Sequence, residues 1–332
     1  MSIGIVLCFF SGCPAELPKK HAVNTMNFAL DTGVPVSFAQ VIRTGEEPLP
    51  VPAKVISQVF ESDDYIFFKE NLWNLAANKL DVDNLIFLDS DVYINNPAWV
   101  ERTESSLQQF DFVQPFSECH WLTKGGKIEL TRPSSCTGLS QGVHPKGGVY
   151  HPGFGLAMTR RLYEFMGGLW DGAVCGGGGD GANILAHSRL AGTDRYLESL
   201  FNKSIFKGYM MEDHRRFFHS PSWIKYRQRS VDYGVRVGCV PDQHVYHLWH
   251  GERRKRRYTT RAEFFDWPYE NQPVEYREDG LQRWTCPQPR SKAYYLGRDE
   301  DGAAQAKRPG RLAPILNKED PWYLRILKRN RP

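Results

Sequence analysis

The sequence predicts an α/β protein with a mostly parallel central sheet, and three observations predict it. Short apolar runs at Ile3–Phe10, Val34–Val41 and Leu85–Leu88 read as strands buried on both faces. Helical patterns separate these runs, and strands alternating with helices imply parallel pairing, with ligands at the carboxyl ends of the strands. The third run stops at Asp89-Ser90-Asp91, where strand alternation points residues 89 and 91 the same way and Ser90 the other. Two carboxylates converging at the end of a buried strand suit a divalent metal carrying a diphosphate. Two further triplets, Asp81-Val82-Asp83 and Asp299-Glu300-Asp301, follow no buried strand.

Taken in order, Ile3–Phe10 is the first strand rather than a signal peptide, because no basic region precedes it and the apolar stretch is short. Ala22–Asp31 is the helix after it. Val34–Val41 is the second strand, and Leu72–Leu80 is a helix ahead of the Leu85–Leu88 strand. Asn96-Pro97 reads as a helix start, with Asn as N-cap and Pro in the first helical position, running toward Phe110. Phe112–Pro115 is a further short strand. Residues 119–150, rich in Gly, Ser, Pro and Lys, are expected to form a long mobile loop. Ala182–Leu190 is a helix. After residue 252 the pattern dissolves into Arg, Pro, Trp and Tyr, which divides the chain into a domain over 1–252 and an irregular, basic extension over 253–332.

At 332 residues, with 41% hydrophobic and 13% aromatic content, the chain can bury a sizeable core and is not of the disordered class. No apolar run is long enough for a membrane span. Seven scattered cysteines without a Cys-x-x-Cys pair suit a reducing cytosol and argue against a disulfide framework or zinc ribbon, so a cytoplasmic protein is expected. The net charge of +4 is uneven. Residues 252–332 hold 19 Lys+Arg and 12 Asp+Glu, a balance of +7, against −3 for the rest. Such asymmetry suits a polyanionic partner, and a solvated basic tail is the plainer alternative.

Two further clusters carry chemistry. His151-Pro152-Gly153-Phe154-Gly155 is followed by Trp170-Asp171 and by Cys175-Gly176-Gly177-Gly178-Gly179-Asp180. Four consecutive glycines pack nothing, so they mark either a close backbone approach to a ligand or a loop tip. Asp180 stands at a helix start, where capping is its simplest role. His244-Val245-Tyr246-His247-Leu248-Trp249-His250 places three of the chain's ten histidines in seven residues, and imidazoles suit manganese or zinc. Arg253-Arg254-Lys255-Arg256-Arg257 then offers phosphate contacts to a donor diphosphate or a nucleic acid.

Taken together, these motifs resemble a GT-A-type glycosyltransferase over roughly residues 3–260. Lys69 and Asn74 in Phe68-Lys69-Glu70-Asn71-Leu72-Trp73-Asn74 match the offset at which the β-1,4-galactosyltransferase family carries a basic residue and an Asn near the donor diphosphate. Leu88-Asp89-Ser90-Asp91 looks like that family's metal motif, which implies that Asp91 binds the metal and Asp89 the nucleotide-sugar. Gly153-Phe154-Gly155 resembles the strand lining the donor sugar, and Phe9 and Trp170 join the donor-binding set. Gly177-Gly178-Gly179-Asp180 resembles a Gly-Gly-Glu-Asp segment whose Asp is the catalytic base. Here Gly179 replaces the Glu and Gly181 the next acid. His247 and His250, followed by Arg253 and Arg254, are similar to the His-x-His and basic run that close the metal site. Similar His-x-Trp-His-Gly signatures occur in uncharacterised phage and bacterial glycosyltransferases.

The resemblance implies a Rossmann-like GT-A catalytic domain. It also implies Mn2+ or Mg2+ held by Asp91, His247 and His250, a UDP-sugar donor, and Asp180 as base in an inverting transfer. The basic extension and the phage likeness imply a hydroxymethylated pyrimidine in DNA as acceptor. A capsule or lipopolysaccharide glycan is the alternative acceptor, and a non-catalytic nucleic-acid-binding protein is the alternative class. A two-metal phosphoesterase is disfavoured because no acid cluster is dense enough.

Overall fold

The computed structural model describes residues 1–10, 12–13, 15–145, 148–174, 177–190, 193, 220–252 and 274–301. Strand β1 (Ile3–Phe10) leads into helix α1 (Glu16–Leu30). Ala15 gives α1 no capping side chain. Asp301 supplies the cap from the other end of the described chain, its carboxylate accepting from Glu16 N at 3.0 Å and Leu17 N at 2.7 Å. Next come β2 (Val36–Ile42), β3 (Ile56–Glu61), α2 (Lys69–Ala77), β4 (Asn84–Leu88) and β5 (Val92–Ile94). They are followed by α3 (Trp99–Leu107), β6 (Phe112–Gln114), β7 (Glu118–Leu122), β8 (Ile128–Pro133) and α4 (Ser135–Ser140). Then β9 (Gly155–Thr159), α5 (Arg160–Met166), α6 (Gly179–His187), α7 (Pro221–Tyr233), β10 (Val237–Cys239) and β11 (His244–His247) follow. Last are β12 (Val274–Tyr276), β13 (Gln282–Trp284) and α8 (Pro289–Leu296).

Seven strands form the central sheet in the order β10-β6-β9-β4-β1-β2-β3. Every neighbouring pair is parallel except the two made by β9, which runs antiparallel to β4 and β6. The expected α/β class with a mostly parallel sheet is therefore the one observed. Alternation along the strands fills two core layers. Val6 and Cys8 of β1, with Leu85 and Phe87 of β4, face Leu72 and Trp73 of α2. Ile5 and Leu7, with Ile86 and Leu88, face Met26 of α1 and Trp99 of α3. Burial of each such side chain stabilises the fold by about 1.5–3 kcal/mol.

A second, four-stranded sheet (β5-β11-β7-β8) follows directly from the end of β4. Its β5 pairs antiparallel with β11, setting Val92 opposite His247. The chain thus turns at Asp89–Asp91 from one sheet into the other.

The long loop expected over 119–150 is instead a hairpin and a helix. β7 and β8 pair antiparallel around a turn at Thr123–Gly126, where Gly126 adopts φ +75°. α4 is capped by Ser134 Oγ, which accepts from Thr137 N at 3.0 Å. The Gly and Ser residues mark the turn and cap, and β8 is polar because much of it is exposed. α1 and α2 begin earlier than their apolar patterns suggest, at Glu16 and Lys69. α3 starts at Trp99, while Asn96 Oδ1 closes the preceding turn by accepting from Ala98 N at 3.0 Å.

Residues 253–273 and 302–332 lie outside the described residues. Residues 274–301, within the stretch read as irregular, form the β12–β13 hairpin and α8. Leu281, Trp284, Tyr294 and Tyr295 join the core layer that holds Trp73, and the compact unit runs Met1–Asp301. No helix among the described residues is long and apolar enough to cross a membrane.

Candidate active site

The site forms where the central sheet ends. β1 and β4 are parallel neighbours with Leu7 opposite Leu88, so Cys8–Phe10 and Asp89–Asp91 finish side by side. β9 closes in from the other side of β4. A Cβ on Gly155 would meet Leu88 Cδ2 at 2.8 Å and the Phe87 carbonyl oxygen at 3.2 Å, so only glycine lets the strands approach this closely. Phe154, just before it, has φ +81°, a left-handed conformation that costs a non-glycine residue about 1–2 kcal/mol. In that conformation its N–H donates to Asp89 Oδ2 at 3.2 Å while its carbonyl accepts from Asp89 N at 3.2 Å.

Lys69, the first residue of α2, is the electrostatic centre. Its ammonium donates to Asp180 Oδ2 at 2.6 Å and to Asp89 Oδ1 at 3.1 Å, and lies 4.0 Å from Glu70 Oε1. Burial works to discharge it, but Asp180, Asp89 and Glu70 together prevail and hold its pKa well above the usual lysine value. One cation among three carboxylates leaves the group short of positive charge. Burial, reinforced by Asp180 and Asp91, raises Asp89 to about 6. Burial, reinforced by Asp180 and Asp89, raises Glu70 to about 8. Asp180 enters through the first turn of α6, and its Oδ1 is buried without a hydrogen-bond partner. One oxygen is thus fixed by Lys69 and the other is open to a donor.

Beside this group stand Asp91, His247 and His250. Asp91 Oδ2 is 2.9 Å from His250 Nε2 and 3.3 Å from His247 Nε2, and the two imidazole nitrogens are 3.2 Å apart. One carboxylate and two imidazole nitrogens converging this closely form a donor set for one divalent cation. Burial opposes the charge on Asp91, but His247 and His250 outweigh it and hold the carboxylate well below the usual range. Its Oδ1 is buried without a partner. His247 is stacked against the Phe154 ring, with centroids 4.8 Å apart. Both strand-end carboxylates face a cleft also lined by Phe9, Phe10, Gly12, Lys69, His250, Tyr295 and Arg298.

Of the residues singled out in the sequence, Asp89, Asp91, Lys69, Asp180, His247, His250 and Phe9 come together here. Gly153 and Phe154 stand beside them, and a Cβ on Gly153 would lie 3.3 Å from Asp180 Oδ2. Asn74 does not join them. Its amide is spent on the backbone of Leu169, donating to the carbonyl and accepting from the N–H at 2.8 Å each. Trp170 is also placed elsewhere, buried in the core with Nε1 3.2 Å from Ser222 Oγ. Its backbone exchanges two hydrogen bonds with Asn183 of α6, whose Nδ2 also donates to Gly179 O, so it helps to seat the helix carrying Asp180. Arg253 and Arg254 lie outside the described residues.

Two groups that the sequence did not announce also belong to the site. Glu70 is 1% exposed and lies against Gly179, where it looked like an ordinary helix residue beside Lys69. Glu300 Oε2 lies 3.3 Å from His250 Nδ1, bringing one member of the Asp299–Asp301 triplet to the metal-type cluster from outside. The only signal for Glu300 was the density of acids in that triplet.

No family model matches the chain, and no curated protein matches it in sequence. Among solved structures, the S. aureus TarS fragment 1–349 is similar at 10% identity and a TM-score of 0.36, over 75% of this chain and 60% of that one. The chain therefore spans about three fifths of that fragment. The same fragment in complex with UDP-GlcNAc aligns at 12% identity and a TM-score of 0.25, over 41% of this chain and 38% of that one. The inositol-1-phosphate CTP transferase of T. maritima aligns at 12% identity and a TM-score of 0.34, over 75% of this chain and 89% of its own.

Proposed function

We propose that this protein is a metal-dependent glycosyltransferase that moves a sugar from a nucleoside diphosphate sugar, a UDP-sugar, to an acceptor hydroxyl. The observation that carries the reading is the Lys69 bridge between Asp89 and Asp180 beside the Asp91–His247–His250 donor set, all at the carboxyl ends of β1 and β4. The order of motifs along the sequence supports the same reading by its resemblance to GT-A enzymes.

In this scheme Asp91, His247 and His250 would hold Mn2+, which would neutralise the departing diphosphate. The unpartnered Asp91 Oδ1 and the close imidazole pair fit such an ion. Asp89 orients the donor with its carboxylate fixed by the Phe154 N–H. Lys69 places positive charge beside the leaving group and keeps Asp180 in place. The unpaired Asp180 Oδ1 takes the proton from the acceptor hydroxyl as that oxygen bonds to the anomeric carbon and the carbon–diphosphate bond breaks. Attack opposite the leaving group inverts the anomeric centre. The acceptor in this reading is a 5-hydroxymethylpyrimidine in DNA, supported by the basic run at 253–257 and the +7 balance of the last 81 residues.

The test is turnover with Mn2+ and a panel of UDP-sugars on duplex DNA containing 5-hydroxymethylcytosine or 5-hydroxymethyluracil, with unmodified DNA as control and mass spectrometry of the nucleosides. A hexose- or pentose-sized mass gain on the modified base alone is the expected result. Asp180→Asn should bind donor normally and lose about 10²–10⁴ in rate. UDP-sugar hydrolysis without any gain on a base transfers the reading to a glycan acceptor. Absence of both binding and hydrolysis for every UDP-sugar overturns it.

A further inference from the structure

The strand that delivers His247 to the cleft has a second face. Side chains alternate along β11, so buried Val245 and His247 point inward while half-exposed His244 and Tyr246 point outward. The parallel neighbour β7 sets Glu118 opposite His244 and His120 opposite Tyr246, which puts both of its residues on that same outer face. The ligand atoms of Glu118, His120 and His244 all lie within 4.8 Å of one another. His120 Nε2 and His244 Nδ1 are 3.1 Å apart. Two nitrogens on one tetrahedral ion, each bonded at about 2.0–2.1 Å, stand about 3.3 Å apart, so the pair is close to the required spacing.

The surroundings fit as well. His120 Nδ1 is 2.8 Å from Thr131 Oγ1 on β8. With Thr131 accepting the Nδ1 proton, the Nε2 lone pair is directed toward His244, as an outer-shell partner does for a metal-bound imidazole. Side-chain exposures of 38% at His244 and 44% at Glu118 leave an entry path and room for water as a further ligand.

We infer that Glu118, His120 and His244 form a second divalent-metal site, on the face of β11 opposite His247, for a zinc-class ion. Two imidazoles and one carboxylate select Zn2+, Co2+ or Ni2+ over Mg2+ and Ca2+, which prefer oxygen alone. The ion clamps β7 to β11. The site does not depend on the transferase reading, since none of its residues faces the cleft.

The test is zinc stoichiometry and affinity by equilibrium dialysis on the chelator-stripped full chain. The variants are His120→Ala/His244→Ala, His247→Ala and Thr131→Val. The double variant should lose one zinc equivalent that His247→Ala retains, and Thr131→Val should weaken that equivalent by about 10–100-fold. Co2+ in its place should give visible absorption that is lost with the same pair of histidines. Thr131→Val keeps all three ligands, so it stands as the test if the double variant does not fold. Equal zinc binding by wild type and the double variant overturns the site. So does complete loss of zinc in His247→Ala, or a Thr131→Val protein indistinguishable from wild type.

Discussion

Gly179 sits so close to Glu70 that a Cβ at position 179 would lie 2.2 Å from the Glu70 Oε1 atom. The carboxylate of α2 fills the space that a side chain at the start of α6 would need. The acid that the resembled segment carries at 179 is absent here, and a buried acid arrives at that point from a different element.

The first prediction follows from that contact. Glu70 is the end of a flexible side chain, but at 1% exposure beside Lys69 it has nowhere to retreat. Gly179→Ala should therefore destabilise the fold by about 1–3 kcal/mol, as overpacking does. In a Glu70→Ala background most of that penalty should vanish, a coupling of at least about 1 kcal/mol in denaturant midpoints. Additive effects of the two substitutions would refute the contact.

Glu70 also gives the fold a pH dependence of definite sign. Its folded pKa is raised to about 8 by burial and by Asp180 and Asp89, above the unfolded value of 4.5. The native state then binds more protons than the unfolded state across this window. The contribution is fully present below pH 4.5 and is lost as pH rises through 8. The slope from this one group is at most about 1.4 kcal/mol per pH unit. Glu70→Gln should flatten that part of the curve and gain on wild type at pH 8. Denaturant titrations at several pH values check it, and parallel curves for the two proteins would sink it.

Among the described residues, Lys69 is the basic side chain that pairs with Asp89 and Asp180 and lies 4.0 Å from Glu70. Lys69→Met should cost about 3–5 kcal/mol, because buried Glu70 and part-buried Asp89 and Asp180 lose their counter-charge. Lowering the pH through 6 lets Asp89 take up a proton, so the loss should shrink in mild acid. A penalty independent of pH would assign the lysine a packing role only.

Asp91→Asn and His247→Ala address the donor set on the cleft side. Each should weaken Mn2+ binding by more than about tenfold, the low end of what even an outer-shell partner contributes. Fluorescence or calorimetric titration with Mn2+ reads the change. An unchanged isotherm in both variants would place the ion elsewhere.

The sequence was most readable where burial was complete. β1 and β4 are continuous apolar runs because both their faces meet core, and Asp89 and Asp91 stand out by ending one of them. β3 escaped notice because Ile56, Ser57 and Gln58 lie on a largely exposed edge with little apolar character. β7 and β8 were read as loop because Glu118, His120, Thr131 and Arg132 clothe a partly open sheet. Lys69 and Asp180, singled out through motif order, lie 2.6 Å apart. Asn74 and Trp170 lie apart from that group, and an Asn that ties down a backbone and an Asn that touches a ligand look alike in one dimension. Glu70 and Glu300 were invisible because only the fold brings residues 70 and 179, or 250 and 300, together.

The carboxylate of Glu300 on His250 has a consequence for synthesis. The β1–β2, β2–β3 and β1–β4 pairings can form once residue 88 has left the ribosome, while β4 still waits for β9 on its other side. Asp89 and Asp91 are then waiting for partners that emerge far downstream: Asp180, then His247 and His250, and finally Glu300 and the Asp301 cap on α1. Long-range closure of this kind comes late in folding. A nascent chain thus carries an unfinished centre until Glu300 and Asp301 emerge, and these are the groups that shut it.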